Sequence, residues 1–362
     1  MIVRPIEGVP SSMTERKSRV LGLDSIRFVC AIWVFWGHGA APVLPNPFPD
    51  QSVFGLVVRG IYRNLWNGPA AVIVFFVISG FCIHYPYVGS GRSPCVSEFY
   101  ARRFLRLLIP VAIAIPLSRF AGVYIPLLHD SILWSLVAEL IYYFWYPALR
   151  LGKEYLGGWG WLVFGGFSAA VATISFDPFV GNYPSYGFAF NWLVGLPCWL
   201  LGCVVAERIR SANRPSVSFR SIWYWRGGVL SASWFCSVLR FHGHLGYPWT
   251  LNAFAILVAA WLIREISYRR GTAPIRAMEW AGTWSYSLYL FHVPAMTIYS
   301  GFHLSLQTAS LAWIGRCLFV FACCYAFYFL IERPSHTLAR AVGFILSSRG
   351  RLNVTHPSTG TV

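Results

Sequence analysis

Charge is scarce in this sequence, and acidic charge scarcest of all. Of 362 residues, 13 are Asp or Glu, and charged residues of both signs make up 12%; an ordinary soluble domain carries about 25%. So few charges cannot cover a globule of this size, and such a chain folded in water would expose apolar patches large enough to aggregate. That excludes a pair of soluble domains, the architecture that length alone suggests. A bilayer is the solvent that suits 56% hydrophobic and 18% aromatic residues. Paired cysteines at metal-binding or disulfide-framework spacing are also missing. The nine cysteines lie mostly in apolar runs and read as small buried side chains. There is no evident internal repeat, low-complexity segment or appended soluble catalytic domain, so any chemistry is expected inside the membrane part. No secretory leader is evident either. Residues 1–20 carry Arg4, Glu7, Glu15, Arg16, Lys17 and Arg19 without an apolar core of the needed length, and the first apolar run is expected to be kept as a span.

What the sequence has in abundance is long apolar runs. A helix needs about 20 apolar residues to cross a hydrocarbon core about 30 Å thick. Candidate spans lie at 25–42, 67–86, 104–125, 130–149, 158–176, 187–206, 222–240, 249–266, 280–300 and 309–331. The short segment 52–66 holds Arg59 and Arg63 and reads as an interfacial or re-entrant piece on the outer side. Lys and Arg total 29 and the net charge is +16. With the N-terminus inside, 23 of the 29 fall in inner segments and three, Arg59, Arg63 and Arg240, in outer loops. That bias fits the positive-inside rule. It also argues against nucleic acid as a partner, because the charge is dispersed over alternate loops rather than gathered into one patch. The expected fold is all-α: a polytopic membrane helix bundle of about ten spans with both termini cytoplasmic. A cytoplasmic tail (1–22) precedes the membrane domain (23–334), and a second cytoplasmic tail (335–362), polar and disordered after about residue 346, follows it.

Ionisable groups within spans are costly, and each is a functional hypothesis. In the first span, Arg27 and His38 stand eleven residues apart, almost three turns, which puts both on one helix face about 16 Å apart. This suits a long anionic substrate with its charged head at Arg27 and its reactive end at His38. A snorkelling arginine and an interhelical histidine hydrogen bond would leave the same pattern. Glu139, in the fourth span, is about 14 Å in from the outer side and His38 about 21 Å in from the inner side. In a core about 30 Å thick their depths differ by about 5 Å, so they could form a base and its orienting partner; a protonated glutamic acid bonded to another helix is the alternative. At the inner mouth of the third span, Arg103 and Arg106 are three apart on one face. Paired guanidinium groups suit phosphate, and lipid-headgroup anchoring is the competing reading. In the ninth span Ser285, Tyr289 and His292 share a face and could wall an acceptor site or serve as interhelical hydrogen bonds. His84 lies nearer the cytoplasmic end and reads as structural.

Six segments carry a resemblance, in order along nearly the whole membrane part: GLDSIRFVCAIWVFWGHG, FFVISGFCIHYP, FYARRFLRLLIP, WSLVAELIYYFWYP, WSYSLYLFHVP and IERP at Glu332-Arg333-Pro334. The ordered set resembles acyltransferase family 3. The resemblance implies a membrane-bound O-acyltransferase with a catalytic histidine at His38, an arginine partner at Arg27, donor-handling arginines at Arg103 and Arg106, and a functional acid at Glu139. It implies acyl-CoA, with a bias toward acetyl-CoA, as a cytoplasmic co-substrate and no permanently bound cofactor. The acceptor it implies is a hydroxyl of a cell-surface carbohydrate or its lipid-linked precursor, with glycan-assembly proteins as potential partners, in the inner (plasma) membrane of a bacterium. Hydroxyls such as Ser135 or Tyr289 are expected to donate to the developing oxyanion. Departing from the family's run of small residues after the leading Leu-Asp, this chain has Ser25-Ile26. The competing class is a proton-coupled secondary transporter using mid-membrane His38 and Glu139.

Overall fold

The computed structural model describes residues 20–42, 52–90, 95–123, 132–211, 216–302 and 308–354, with side chains described as far as residue 348. Among these residues the chain is helical and no strand is present. The helices are α1 (Leu23–Phe35, continued by a π-helical turn Trp36–Ala40), α2 (Val53–Leu65), α3 (Gly68–His84), α4 (Val96–Phe120), α5 (Leu133–Leu156), α6 (Trp159–Phe176) and α7 (Gly187–Ser211). They are followed by α8 (Phe219–Phe241), α9 (Tyr247–Arg269), α10 (Arg276–Gly282), α11 (Ser285–Gly301), α12 (Ala309–Phe327, ending in a π-helical turn Tyr328–Glu332) and α13 (Arg333–Val354). Each of the ten expected runs overlaps a helix in its described residues, the ninth being broken into α10 and α11 at Thr283–Trp284. Among the described residues, five helical stretches are long and apolar enough to cross a membrane: Val53–Tyr87, Trp159–Phe176, Tyr183–Ser211, Tyr247–Arg269 and Ala309–Ser348.

The centre of the bundle is the crossing of α3 and α7. Helix α3 is apolar on every side and buried along nearly its whole length, as a helix surrounded by other helices must be. It meets α7 backbone to backbone. A Cβ added at Gly80 would stand 2.0 Å from the Trp199 carbonyl oxygen, and one at Gly202 would stand 2.1 Å from the Val77 carbonyl oxygen. Both glycines are therefore required by close approach, the device by which small residues let helices pack in lipid. Helices α1, α5 and α9 pack against this pair, and α10 and α11 close on α1.

Helix α2 has 13 residues, about 20 Å at 1.5 Å per residue, too short to span. Ser52 caps it by accepting from the Gly55 N–H. Its apolar side chains Val53, Phe54, Leu56, Val57 and Ile61 are exposed. The opposite face docks on α8, where the Ser237 hydroxyl donates to Asn64 Oδ1 at 2.8 Å and the Trp234 indole donates to the Ile61 carbonyl at 3.1 Å. This amphipathic helix has the form expected of an interfacial piece.

Residues 355–362 of the expected tail lie outside the described residues. The helix runs on through residue 334 as α13 to Val354. It lies along α4, close enough that a Cβ at Gly343 would stand 2.7 Å from the Arg102 stem. A polar sequence concealed this, because one side of α13 needs only small and aliphatic contacts such as Ala339 and Gly343 to dock.

Gly80→Ala or Gly202→Ala must push two backbones apart. Each is expected to destabilise the protein by about 1–3 kcal/mol, the usual range for overpacking a tight core. Gly165→Ala, where nothing lies within 4 Å of the added carbon, is expected to leave stability unchanged or raise it by up to about 1 kcal/mol. Thermal unfolding of the three variants in one detergent checks this contrast.

Candidate active site

A cavity of about 260 Å³ lies between α1, α3, α4, α5 and α11, with Glu332 and His336 completing its wall. Each charged lining residue reaches it for a local reason. Arg103 and Arg106, one turn apart on α4, face inward together, while Arg102 turns outward to pair with Glu98 at 2.7 Å. From α1, Arg27 donates to Asp24 Oδ1 at 2.9 Å and to Cys82 Sγ at 3.2 Å. From α5, Glu139 accepts from the Ser79 hydroxyl at 2.5 Å and from the Tyr143 hydroxyl. Ser79 in turn accepts from the Trp199 indole at 3.2 Å. The crossing of α3 and α7 thus fixes Glu139 through a chain of hydrogen bonds. Glu332 accepts from the Ser287 hydroxyl at 2.5 Å and the Ser287 N–H at 3.1 Å. Its carboxylate therefore sits on the first turn of α11, where the helix dipole favours negative charge.

The cavity's charges are not all satisfied from within. Asp24 pairs with Arg27, Glu139 is held by hydroxyls, and Glu332 by a hydroxyl and an amide. The half-buried Arg103 and Arg106 make no ion pair or hydrogen bond with any described residue. Two neighbouring guanidinium groups left unpaired in a partly desolvated cavity are costly unless an anion comes to meet them.

His38 lies elsewhere. The π-helical turn takes it off the helical path (φ −88°, ψ 25°), and Gly39 follows at φ 90°. The helical spacing that would align Arg27 and His38 on one face is lost in this turn: Arg27 lines the cavity, and His38, exposed at the far end of α1, does not. The expected pairing of His38 with Glu139 is likewise corrected. His38 Nδ1 is 2.8 Å from the Val34 carbonyl and 3.3 Å from His292 Nε2, whereas Glu139 is bound to Ser79 and Tyr143. Matching depth did not imply lateral contact. His292 is fully buried, with Nδ1 at 3.0 Å and 2.9 Å from the carbonyls of Leu288 and Tyr289.

Ser135 and Tyr289, both lining the cavity, close a triangle of two hydroxyls and one backbone carbonyl. Ser135 Oγ and Tyr289 Oη are 2.6 Å apart, and both reach the Ile132 carbonyl, at 3.3 Å and 3.0 Å. Either way the bond between them is directed, both hydroxyl protons are used inside the triangle. This corrects the expectation that Ser135 or Tyr289 offers a spare donor to an oxyanion. Ser285 donates to the Gly282 carbonyl at 2.8 Å and bridges the break between α10 and α11. His84 is held by Tyr146, Glu207 and Trp159, in keeping with a structural role.

Residues 20–329 match the acyltransferase-domain family of the acyltransferase 3 type. The chain belongs to acyltransferase family 3. No curated protein and no solved structure matches it. The family match spans every wall of the cavity except its last corner, Glu332 and His336. For this acyltransferase-family chain, sequence reasoning located Arg27, Arg103, Arg106 and Glu139 but gave no role to Glu332, Ser79 or Tyr143. The signals were there: an acid ending an apolar run just before Arg333-Pro334, and a serine beside the glycine of the α3 crossing.

Glu332→Ala removes the acceptor at the start of α11 and is expected to cost about 0.5–2 kcal/mol, as loss of a helix N-terminal cap does. Glu332→Gln, which keeps an acceptor oxygen, should cost less. Thermal unfolding of the two variants side by side tests the capping role.

Proposed function

We propose that the protein is a membrane O-acyltransferase that moves an acyl group, acetyl in the first instance, from acyl-CoA to a hydroxyl of a cell-surface carbohydrate or its lipid-linked precursor. One observation carries the reading: in a chain of an acyltransferase family, two neighbouring guanidinium groups, Arg103 and Arg106, line a cavity without an ion pair or hydrogen bond to any described residue. Coenzyme A brings phosphates of matching charge, and paired guanidinium groups bind phosphate well. Arg27, already tied to Asp24, contributes the third positive charge. The proposed topology is a ten-span bundle with both termini in the cytoplasm of a bacterium and the arginine-lined mouth opening to the same side, where acyl-CoA is made. At about 260 Å³ the cavity lies below the roughly 300–1,000 Å³ that drug-sized ligands occupy. It accommodates one section of the donor, and the thioester extends past the Ser135–Tyr289 triangle toward His38.

In this reading His38 is the catalytic residue. Its Nε2, which makes no hydrogen bond with a described residue, takes the proton of the acceptor hydroxyl. The freed oxygen attacks the thioester carbonyl, the carbon–sulfur bond breaks, and the CoA thiolate leaves and recovers the proton from the imidazolium. Glu139, tied to Ser79 and Tyr143, shapes the cavity wall beside the donor rather than touching the imidazole. The transporter reading draws its case from mid-membrane His38 and Glu139, which do not meet, and it leaves the family match unexplained.

Purified protein in nanodiscs with radiolabelled acetyl-CoA tests the proposal. Wild type is expected to release CoA and His38→Ala to release none while remaining folded. Arg103→Ala and Arg106→Ala are expected to raise the KM for acetyl-CoA by about tenfold or more, the equivalent of one or more charge-assisted hydrogen bonds. Full activity in His38→Ala would overturn the mechanism.

A further inference from the structure

The His38–His292 contact has a chemical direction that can be worked out atom by atom. Carbonyl oxygens only accept hydrogen bonds. His292 Nδ1 faces two of them, Leu288 at 3.0 Å and Tyr289 at 2.9 Å, so Nδ1 carries the proton. His292 is fully buried, and among the described residues no carboxylate bonds to its ring. A second proton on Nε2 would leave an unpaired buried cation and would set an N–H against the N–H of His38. The ring that fits is neutral, with its Nε2 lone pair aimed at His38.

The same reasoning fixes His38. Its Nδ1 is 2.8 Å from the Val34 carbonyl and must donate. The proton is shared between that carbonyl and His292 Nε2, the longer arm at 3.3 Å. With Nδ1 protonated, the neutral ring keeps its lone pair on Nε2, the nitrogen that makes no hydrogen bond with a described residue.

We infer that His292 is a positioning residue: a neutral, buried imidazole whose Nε2 accepts from His38 Nδ1 and so holds the His38 Nε2 lone pair free for the acceptor hydroxyl. The inference rests on the reading of His38 as the catalytic base. It differs from the familiar base-and-carboxylate arrangement in that both groups holding the imidazole, a backbone carbonyl and a second imidazole, are uncharged. When Nε2 takes a proton, the Nδ1–H of the resulting imidazolium still has two acceptors to stabilise it. The seating of His292 is itself firm. Phe35 packs edge-on against its ring at 6.1 Å between centroids, and Glu332 caps the helix that carries it. Because α1 leaves helical geometry at His38 and Gly39, the contact from α11 supplies a constraint that α1 alone does not.

The experiment uses the full chain in nanodiscs with acetyl-CoA as the probe, reading CoA release. His292→Phe keeps the ring and removes the acceptor. His292→Gln places an amide oxygen where Nε2 stood. The expected result is a fall in kcat of about 10- to 100-fold for His292→Phe, the range for losing an orienting partner of a functional histidine, with KM for acetyl-CoA within twofold and with substantial recovery in His292→Gln. Wild-type kcat in His292→Phe would overturn the inference. So would a change confined to KM, which would make His292 part of a binding wall, or a loss in His292→Gln equal to that in His292→Phe. If His292→Phe does not fold, failure of His292→Gln to retain activity decides against the proposal. If wild type releases no CoA, the acyltransferase reading is what has failed. Nitrogen-15 NMR of selectively labelled histidines then tests the geometry alone: Nδ1 protonated and Nε2 unprotonated in both His38 and His292 supports the arrangement, and the opposite tautomer of either ring overturns it.

Discussion

The arrangement depends first on a contact that contains no side chain at all. At Gly80 and Gly202 the backbones of α3 and α7 touch, and nothing larger than hydrogen fits between them. In a bilayer, where burying an apolar side chain against another gains little over burying it in lipid, such close backbone approach is what distinguishes a specific helix pair from a random one. Its consequences reach the cavity directly. Ser79 precedes Gly80, so turning the glycine toward α7 turns the serine toward α5, and Trp199 on α7 reaches across to the same hydroxyl. The position of Glu139 is therefore set by the crossing of two helices to which it does not belong.

Electrostatics in this interior follow a consistent division. Negative groups are satisfied locally: Asp24 by Arg27, Glu139 by two hydroxyls, Glu332 by a hydroxyl and a helix-terminal amide. Away from the cavity, Glu265 takes both Arg226 and Arg269. The two guanidinium groups of α4 that face the cavity have no such partner among the described residues. A bundle with 13 acids against 29 bases has positive charge to spare. The fold gathers part of that surplus at one concave place, which a phosphate-bearing ligand would neutralise.

Arg27 and His38, near the two ends of the first helix, are joined by the chain but separated in space. Arg27 belongs to the cavity; His38, beyond a π-helical turn, belongs to a pair with His292. Helix α11 spans both, presenting Tyr289 to the hydroxyl triangle and, one turn on, His292 to His38. Such π-helical turns often mark functional positions because they re-aim a single side chain without ending the helix. A second such turn, Tyr328–Glu332, brings Glu332 onto the start of α11.

By itself the sequence determined the solvent and the architecture. The scarcity of acids and the long apolar runs leave little besides a helical membrane protein, because backbone polar groups in hydrocarbon must be satisfied within helices. It also marked the inward-facing pair Arg103 and Arg106, since residues three apart on a helix share a face whatever surrounds them. Partners across helices were decided only by the tertiary structure. Depth can be counted along one helix, but lateral neighbours cannot: matching depth allows Glu139 to face His38, whereas its partners are Ser79 and Tyr143, and the shared face of Ser285, Tyr289 and His292 fits both an acceptor wall and an interhelical hydrogen bond such as the one His292 makes with His38. Local departures from the ideal helix were equally hidden. The alignment of Arg27 with His38 assumes 3.6 residues in every turn, and a single π-helical turn at Trp36–Ala40 is enough to undo it.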